Sequence, residues 1–550
     1  MNKQISTYFL AAIVAIVLFS ACSKKSNTLG RYVPQNAAVV MHINGAALNE
    51  KLPWAEIKDN EWFKEMQADT SMRAFAKTVL DNPDNSGVDV KKDFVIFYIN
   101  DTTGSYATIQ GSIIDAAKFK IALKEGNKNG AESTKEAYTY FVDDKTCVAY
   151  NKEKFFATMA VANYNSLAAM PPMVATDSNY TEPKPIVVDV TAKTTALIAL
   201  AEDKTLAKNE KFSELVATKG DAHLWMSAEY LNNTQSMGSM MAMANLSKLY
   251  KGAITTATLN FNNGKIDIDI KSYAGKEMTE LYEKYGDKKL DKTLLQNIPS
   301  SNVAAVMALS FKPEGVKAFL KVLSMDGLIN LGAAQAGFNL DDFIKANKGD
   351  ILFAVSDLDT SDAASQKMPN ILFATTIGDK ASFNKLIDAG KKYGSAIPGD
   401  ISKMIHFNVN DKYFAMSSDK AYTEKFLAGN NLPKPTYIDK ISDGSFGGYV
   451  NFQYIINNIK KSTDTLTAQE QNLSLKMWDY LIINGGDYSN KKLTQHWEIN
   501  LVDKNTNSLK QLNKYGGQMA AIETKKRAIQ DAYWKNEDVQ FTAPLVEKNK

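Results

Sequence analysis

The chain has 550 residues, with 64 basic and 61 acidic side chains and a formal net charge of +3. Hydrophobic residues make up 45% and charged residues 23%, a globular mix that excludes a disordered tail protein, a collagen-like fibre and a multi-span membrane protein. Near-balanced charge also excludes a dedicated nucleic-acid binder, and the length points to three or four compact units. Nearly every cation is Lys, because the arginines are Arg31, Arg73 and Arg527. An arginine clamp for phosphate or carboxylate therefore has little to be built from.

The N-terminus carries the strongest local signal. Lys3 is a short basic region, and Tyr8 to Phe19 is an uncharged apolar run. That run suits a signal peptide and is short for a spanning helix, which needs about 20 residues. It ends Leu18-Phe19-Ser20-Ala21-Cys22, which resembles a bacterial lipobox. The resemblance implies that residues 1–21 are removed and that Cys22 is acylated. Residues 22–32, rich in Ser and Lys, then form a lipidated tether. The other cysteine, Cys147, sits in a strand-like Thr-Cys-Val-Ala-Tyr run and reads as a small buried hydrophobe, with no disulfide partner.

The chain then repeats itself. Pro34 to Ile43 returns as Pro299 to Leu309, Gly87 to Phe97 as Gly337 to Phe343 with Gly349 to Val355, Asp115 to Leu123 as Asp379 to Ile387, and Tyr140 to Ala149 as His406 to Met416. Several matches in the same order predict a duplicated unit, residues 33–285 and 290–515. Val39 to Ile43 reads as a buried strand, and Trp54 to Leu80 has helical spacing. Phe94 to Ile99 and Ala107 to Ile113 read as a hairpin turning at Asp101 to Gly104. Asp115 and Asp379 are placed to cap helices. Further hairpins turn at Asp143 to Lys145 and Asn410 to Lys412. Met170 to Pro185 reads as a linker. Leu224 to Leu231, a helix around Met240 to Leu249, and a hairpin from Thr255 to Ile270 turning at Asn262-Asn263-Gly264 close the first unit. Gly448 to Ile456, a helix ending near Trp478 and Leu493 to Leu501 close the second. Gly516-Gly517 breaks the pattern, leaving residues 516–550 as a helical tail. These elements predict an α+β fold of two tandem units, each an antiparallel sheet with helices packed on one face.

The residues that could carry chemistry are scattered. His42, His223, His406 and His496 each fall in a strand-like run, with no metal-ligand spacing between them. Ser382 to Lys385 and Ser417 to Lys420 fit a loose Ser-x-x-Lys pattern without its companion motifs. Asn82, Asp84, Ser86, Gly87 and Asp93 resemble a degenerate calcium loop, but a strand follows in place of a helix. Asp357, Asp359 and Ser361 are a weaker version. Asp267 and Asp269 alternate with Ile, which predicts a solvated strand face. Met237, Met240, Met241 and Met243 have the spacing of a core helix. The expectation is no catalytic residue, no cofactor, no structural metal and no catalytic zinc.

The lipobox, Tyr32 to Asn44, the Leu80 to Asp89 loop and Gly111 to Asp115 together resemble a family of uncharacterised Bacteroidota lipoproteins, over most of the mature chain. The resemblance implies compartment and architecture and carries over no catalytic residue. In related lipoproteins an acidic run after the Cys directs export to the cell surface. Ser23-Lys24-Lys25-Ser26 has none, which implies the periplasmic face of the outer membrane. The expected function is a membrane-anchored, non-catalytic binding or scaffold protein with an envelope protein as partner. The alternatives are a carrier of an apolar ligand in a groove between sheet and helices, and a hydrolase with an unrecognised site. A broad exposed apolar patch favours the first, a deep apolar cavity the second, and a cleft joining Ser or Asp to His the third.

Overall fold

The computed structural model describes residues 28–68, 83–101, 103–126, 130–143, 145–161, 187–231, 245–286, 288–358, 369–394, 405–429, 434–459 and 464–540. The signal peptide, Cys22, the linker at Met170 to Pro185 and the methionines at 237–243 lie outside these residues. Asn82, Asp144, Asp359 and Ser361 do as well. Among the described residues no helix is long and apolar enough to cross a membrane.

Short β-branched and aromatic runs joined by tight turns give an antiparallel sheet of 18 strands among the described residues. The first ten are β1 (Val39–Ile43), β2 (Phe94–Asp101), β3 (Gly104–Ser112), β4 (Ala131–Lys135), β5 (Tyr138–Asp143), β6 (Thr146–Tyr150), β7 (Lys154–Ala160), β8 (Ala222–Ser227), β9 (Ile254–Asn262) and β10 (Lys265–Tyr273). The rest are β11 (Val303–Ser310), β12 (Asn347–Ser356), β13 (Asn370–Ile377), β14 (His406–Val409), β15 (Tyr413–Ser417), β16 (Phe446–Asn451), β17 (Trp478–Ser489) and β18 (Lys492–Leu501). Pairing runs β4-β5-β6-β7-β3-β2-β1-β8-β9-β10 through the first half. It continues β18-β17-β16-β11-β12-β13-β15-β14 through the second. The β10–β18 ladder joins the halves into one sheet.

The sheet alternates sides along each strand, so each half can bury two layers. On one side, Val40, Val95, Phe97, Ile99 and Trp225 pack against Leu197, Phe212 and Leu215 from the helices Val190–Ile198 and Glu210–Ala217. On the same side in the second half, Val306, Ala308, Leu352, Leu372 and Ala415 pack under Leu294 and Phe426, from Lys292–Gln296 and Lys420–Ala428. Helices also cover the other side at both outer flanks. Phe119 and Leu123 of Ala116–Gly126 pack on Phe141, Val148 and Ala157, and Phe383 of Lys380–Gly394 packs on Ile377. The expectation of helices on one face is thus corrected. The signal for two covered faces was present in β6 and β7, where consecutive residues are buried.

Local chemistry sets several boundaries. Asp115 Oδ1 accepts from the Ala117 and Lys118 amides, and Asp379 Oδ2 from the Ser382 amide, so both aspartates cap helices. Asn451 ends β16 by capping Phe452–Asn458, which splits the Gly448 to Ile456 run into strand and helix. Trp54 to Leu80 begins as two short helices, Trp54–Lys58 and Glu61–Ala68. Gly516-Gly517 does not break the final pattern. The helix Ser508–Gln540 runs through both glycines, because they let it approach Asn60 and Trp62, which bond to Asn513.

The β17–β18 turn gives a first prediction. Asn490 and Lys491 have φ of 50° and 60°. A two-residue hairpin turn of this hand needs positive φ at both positions, which strains any side chain but Gly or Asn. Lys491→Gly is expected to raise stability by about 1 kcal/mol in thermal unfolding, since it relieves the left-handed strain. An unchanged or lower midpoint would contradict a strained turn.

Candidate functional site

Three features could serve function, and the sheet positions all of them. The first is the apolar side of the second half-sheet. Cross-strand register aligns Gly448, Met307, Phe353, Phe373, Met416 and Phe407 in one row from β16 to β14. A neighbouring row aligns Val450, Ala305, Val355 and Ile371, and another aligns Leu309 and Ile351 with Thr375 and Phe414. Phe414 meets the flanking helix core, but Met307 is 52% exposed and Phe353 38%. Leu309, Ile371 and Phe407 are also exposed. The corresponding side of the first half exposes Met41, which pairs with Ile96 and Leu224. Strand geometry gives these runs two sides. It could not say that one side would stay open.

The second feature lies on the opposite side, where β10 meets β18. Register sets Asp267 opposite Glu498 and Asp269 opposite His496. His496 Nδ1 lies 2.8 Å from Asp269 Oδ1, and His496 Nε2 lies 3.5 Å from Asp267 Oδ1. One ligand atom from each of Asp267, His496 and Glu498 falls within 4.8 Å of the others. Lys265 Nζ donates to Glu498 Oε2 at 2.6 Å and lies 3.1 Å from Asp267 Oδ1. Asp269 is exposed as expected, but Asp267 is buried, because Asn262, Lys265, Glu498 and His496 close around it. Beside this cluster, Glu214 accepts from Lys271 and Lys492, which holds its carboxyl down at about 2 and ties a first-half helix to β18.

The third feature is a pair of buried histidines from β1 and β8. His223 Nε2 donates to the Thr218 carbonyl at 2.9 Å, so its Nδ1 accepts from His42 Nδ1, also at 2.9 Å. Burial pushes the His223 imidazole below the ordinary histidine range, and His42 adds to the push. The unfolded chain takes up a proton near pH 6.5 and native His223 resists it. Stability contributed by the neutral ring is therefore present above that pH and is lost as pH falls below about 6.5. Denaturation midpoints are expected to drop between pH 7 and 5, and His223→Gln is expected to flatten that limb. Equal slopes in both proteins would contradict the assignment.

The remaining sequence candidates are structural where they can be seen. Cys147 is fully buried, and burial pushes its thiol up. Ser382 belongs to a helix cap and Lys385 pairs with Asp342, while Ser417 accepts from the Asp419 amide and Lys420 pairs with Glu424. Ser86 closes a turn on Pro83 and Asp93 turns toward His42 at 3.4 Å, while Asn82 of the calcium-like loop lies outside the described residues. Asp357 accepts from Ser300, Ser356 and Asn370. None of the His-ring contacts above joins a Ser, Thr or Cys side chain.

The family model described as a domain of unknown function (DUF4836) matches residues 31–509. The chain belongs to the DUF4836 family. The match spans both half-sheets and the ladder between them, so the open face and the β10–β18 cluster both lie within the DUF4836 domain. No curated protein matches the chain. Crystal form I of TP0453 is similar at 11% identity over 44% of this chain and 79% of that one, with a TM-score of 0.24. Crystal form III is similar at 11% identity over 50% and 86%, with a TM-score of 0.25.

Proposed function

We propose that this DUF4836 protein is a lipid-anchored, non-catalytic binding protein of the cell envelope, acylated at Cys22 and held at the periplasmic face of the outer membrane. Its binding surface is the open apolar side of the second half-sheet. The observation that carries this reading is the exposed row through Met307, Phe353 and Phe407. Monomeric proteins seldom leave such a contiguous apolar surface facing water. The row crosses six strands, about 24 Å at the usual strand spacing. That width suits an apolar surface on an envelope protein better than a single small ligand.

In the same reading the two halves are copies of one unit, 33–285 and 290–515. Support comes from strand order. The sequence β3-β2-β1-β8-β9-β10 has the same connectivity as β13-β12-β11-β16-β17-β18. Register supports it too: Met41 faces Ile96 as Met307 faces Phe353. The halves differ at their outer flanks, where the first has β4 and β5 in addition.

The test is a Met307→Asp, Phe353→Asp double variant, compared with wild type by cross-linking in native membranes and affinity purification. Two charges on an exposed face should change the melting temperature little and remove a protein recovered with wild type. Recovery of the same proteins by both would overturn the surface. Loss of a co-purifying lipid, with no protein lost, would favour the carrier instead.

A further inference from the structure

We propose that the β10–β18 junction is a binding site for a divalent transition-metal ion of the zinc class, with Asp267, His496 and Glu498 as its protein ligands. A carboxylate can only accept, so the 2.8 Å contact with Asp269 assigns the proton of His496 to Nδ1. In that tautomer Nε2 carries a lone pair, and 3.5 Å away it meets Asp267 Oδ1, another acceptor. Asp267 is 7% exposed, and this oxygen also meets the Lys265 ammonium at 3.1 Å. The gap between these two acceptors is one that a cation can bridge, and it is open on the His496 side, where the side chain is 43% exposed.

Each ligand is also held from behind. Asp269 orients His496, Asn262 donates to Asp267 Oδ2 at 2.6 Å, and Asn500 donates to Glu498 Oε1 at 2.8 Å. Such outer partners fix ligand orientation in metal sites and raise affinity. One imidazole and two carboxylates form a borderline nitrogen–oxygen set that zinc accepts, with a fourth position left for solvent. The Lys265 ammonium sits 2.6 Å from Glu498 and 3.1 Å from Asp267, where it supplies positive charge to the same oxygens. Its side chain is 37% exposed, so it can swing into solvent when an ion enters. Metal and ammonium therefore compete, and ion binding is coupled to release of Lys265.

The sequence hid this arrangement because the ligands come from opposite halves of the chain. The spacing of Asp267 to Asp269 and His496 to Glu498 is the period of a strand, which carries no metal signature until the ladder sets one strand beside the other.

The test is titration of detergent-solubilised, chelator-treated full-length protein with ZnCl2 by calorimetry, and with CoCl2 by visible absorption. One ion per chain is expected, with the cobalt spectrum of a four-coordinate site. Lys265→Ala should tighten binding at least tenfold by removing the competitor, and His496→Gln should abolish it. Both variants should keep the wild-type circular dichroism. The proposal is overturned if neither wild type nor Lys265→Ala binds one ion per chain. It is equally overturned if His496→Gln binds as wild type does, or if Lys265→Ala weakens binding.

Discussion

Cys22→Ser is expected to abolish acylation and with it stable attachment of the mature chain to the membrane. The wild-type protein should incorporate labelled fatty acid and stay in the membrane pellet through high-salt and alkaline washes. Each buried methylene contributes about 0.8 kcal/mol, so two long acyl chains contribute on the order of 20 kcal/mol. No compensating change elsewhere in the protein replaces a contribution of that size. Intact-mass measurement of the purified protein checks the modification directly. Recovery of the variant firmly in the membrane fraction, with its precursor processed normally, would contradict lipidation.

Trp225→Ala should cause the largest loss of stability. Trp225 on β8 is 1% exposed, pairs across the sheet with Val40 and meets the Phe212 ring edge-on at 5.8 Å. Removing a buried indole leaves a cavity that the flanking strands and helices cannot close, at a cost of about 3–5 kcal/mol. That is a large part of the 5–15 kcal/mol typical of a folded domain. Trp225→Phe should cost much less, because it keeps the ring and the indole N–H has no hydrogen-bond partner to lose. Urea denaturation followed by circular dichroism separates the two. Equal midpoints for Trp225→Ala and wild type would contradict the place given to this residue.

Much of the fold was legible where the chemistry is local. Val39 to Ile43 is a strand with the predicted bounds, and the hairpins turn at Asp101 to Gly104 and at Asn263-Gly264. Asp115 and Asp379 announce their helices because a side-chain acceptor next to free amides needs no tertiary context. Long-range features were not legible. Nothing in Lys265 to Tyr273 says that it pairs with Lys492 to Leu501, and the shared sheet follows from that ladder. Gly516-Gly517 looked like an end because glycine weakens a helix locally. The close approach of Asn60 and Trp62 outweighs that cost.

The candidate site divides the same way. In the strands β11 to β13 an open face and a covered face have the same sequence pattern. Which one stays open depends on where helices dock, and Lys380–Gly394 covers only the flank near Phe414. Asp267 alternates with Ile as a solvated residue would, and only its cross-strand neighbours bury it.

Photo-cross-linking in intact cells tests the binding face most directly. A benzophenone side chain is placed at Phe353, on the open face, and in a separate protein at Lys420, an exposed position on a covering helix of the other side. The prediction is a discrete protein adduct from position 353 that is absent from position 420 and is lost when Met307→Asp is added. No adduct from position 353, or the same adduct from both positions, would contradict the account.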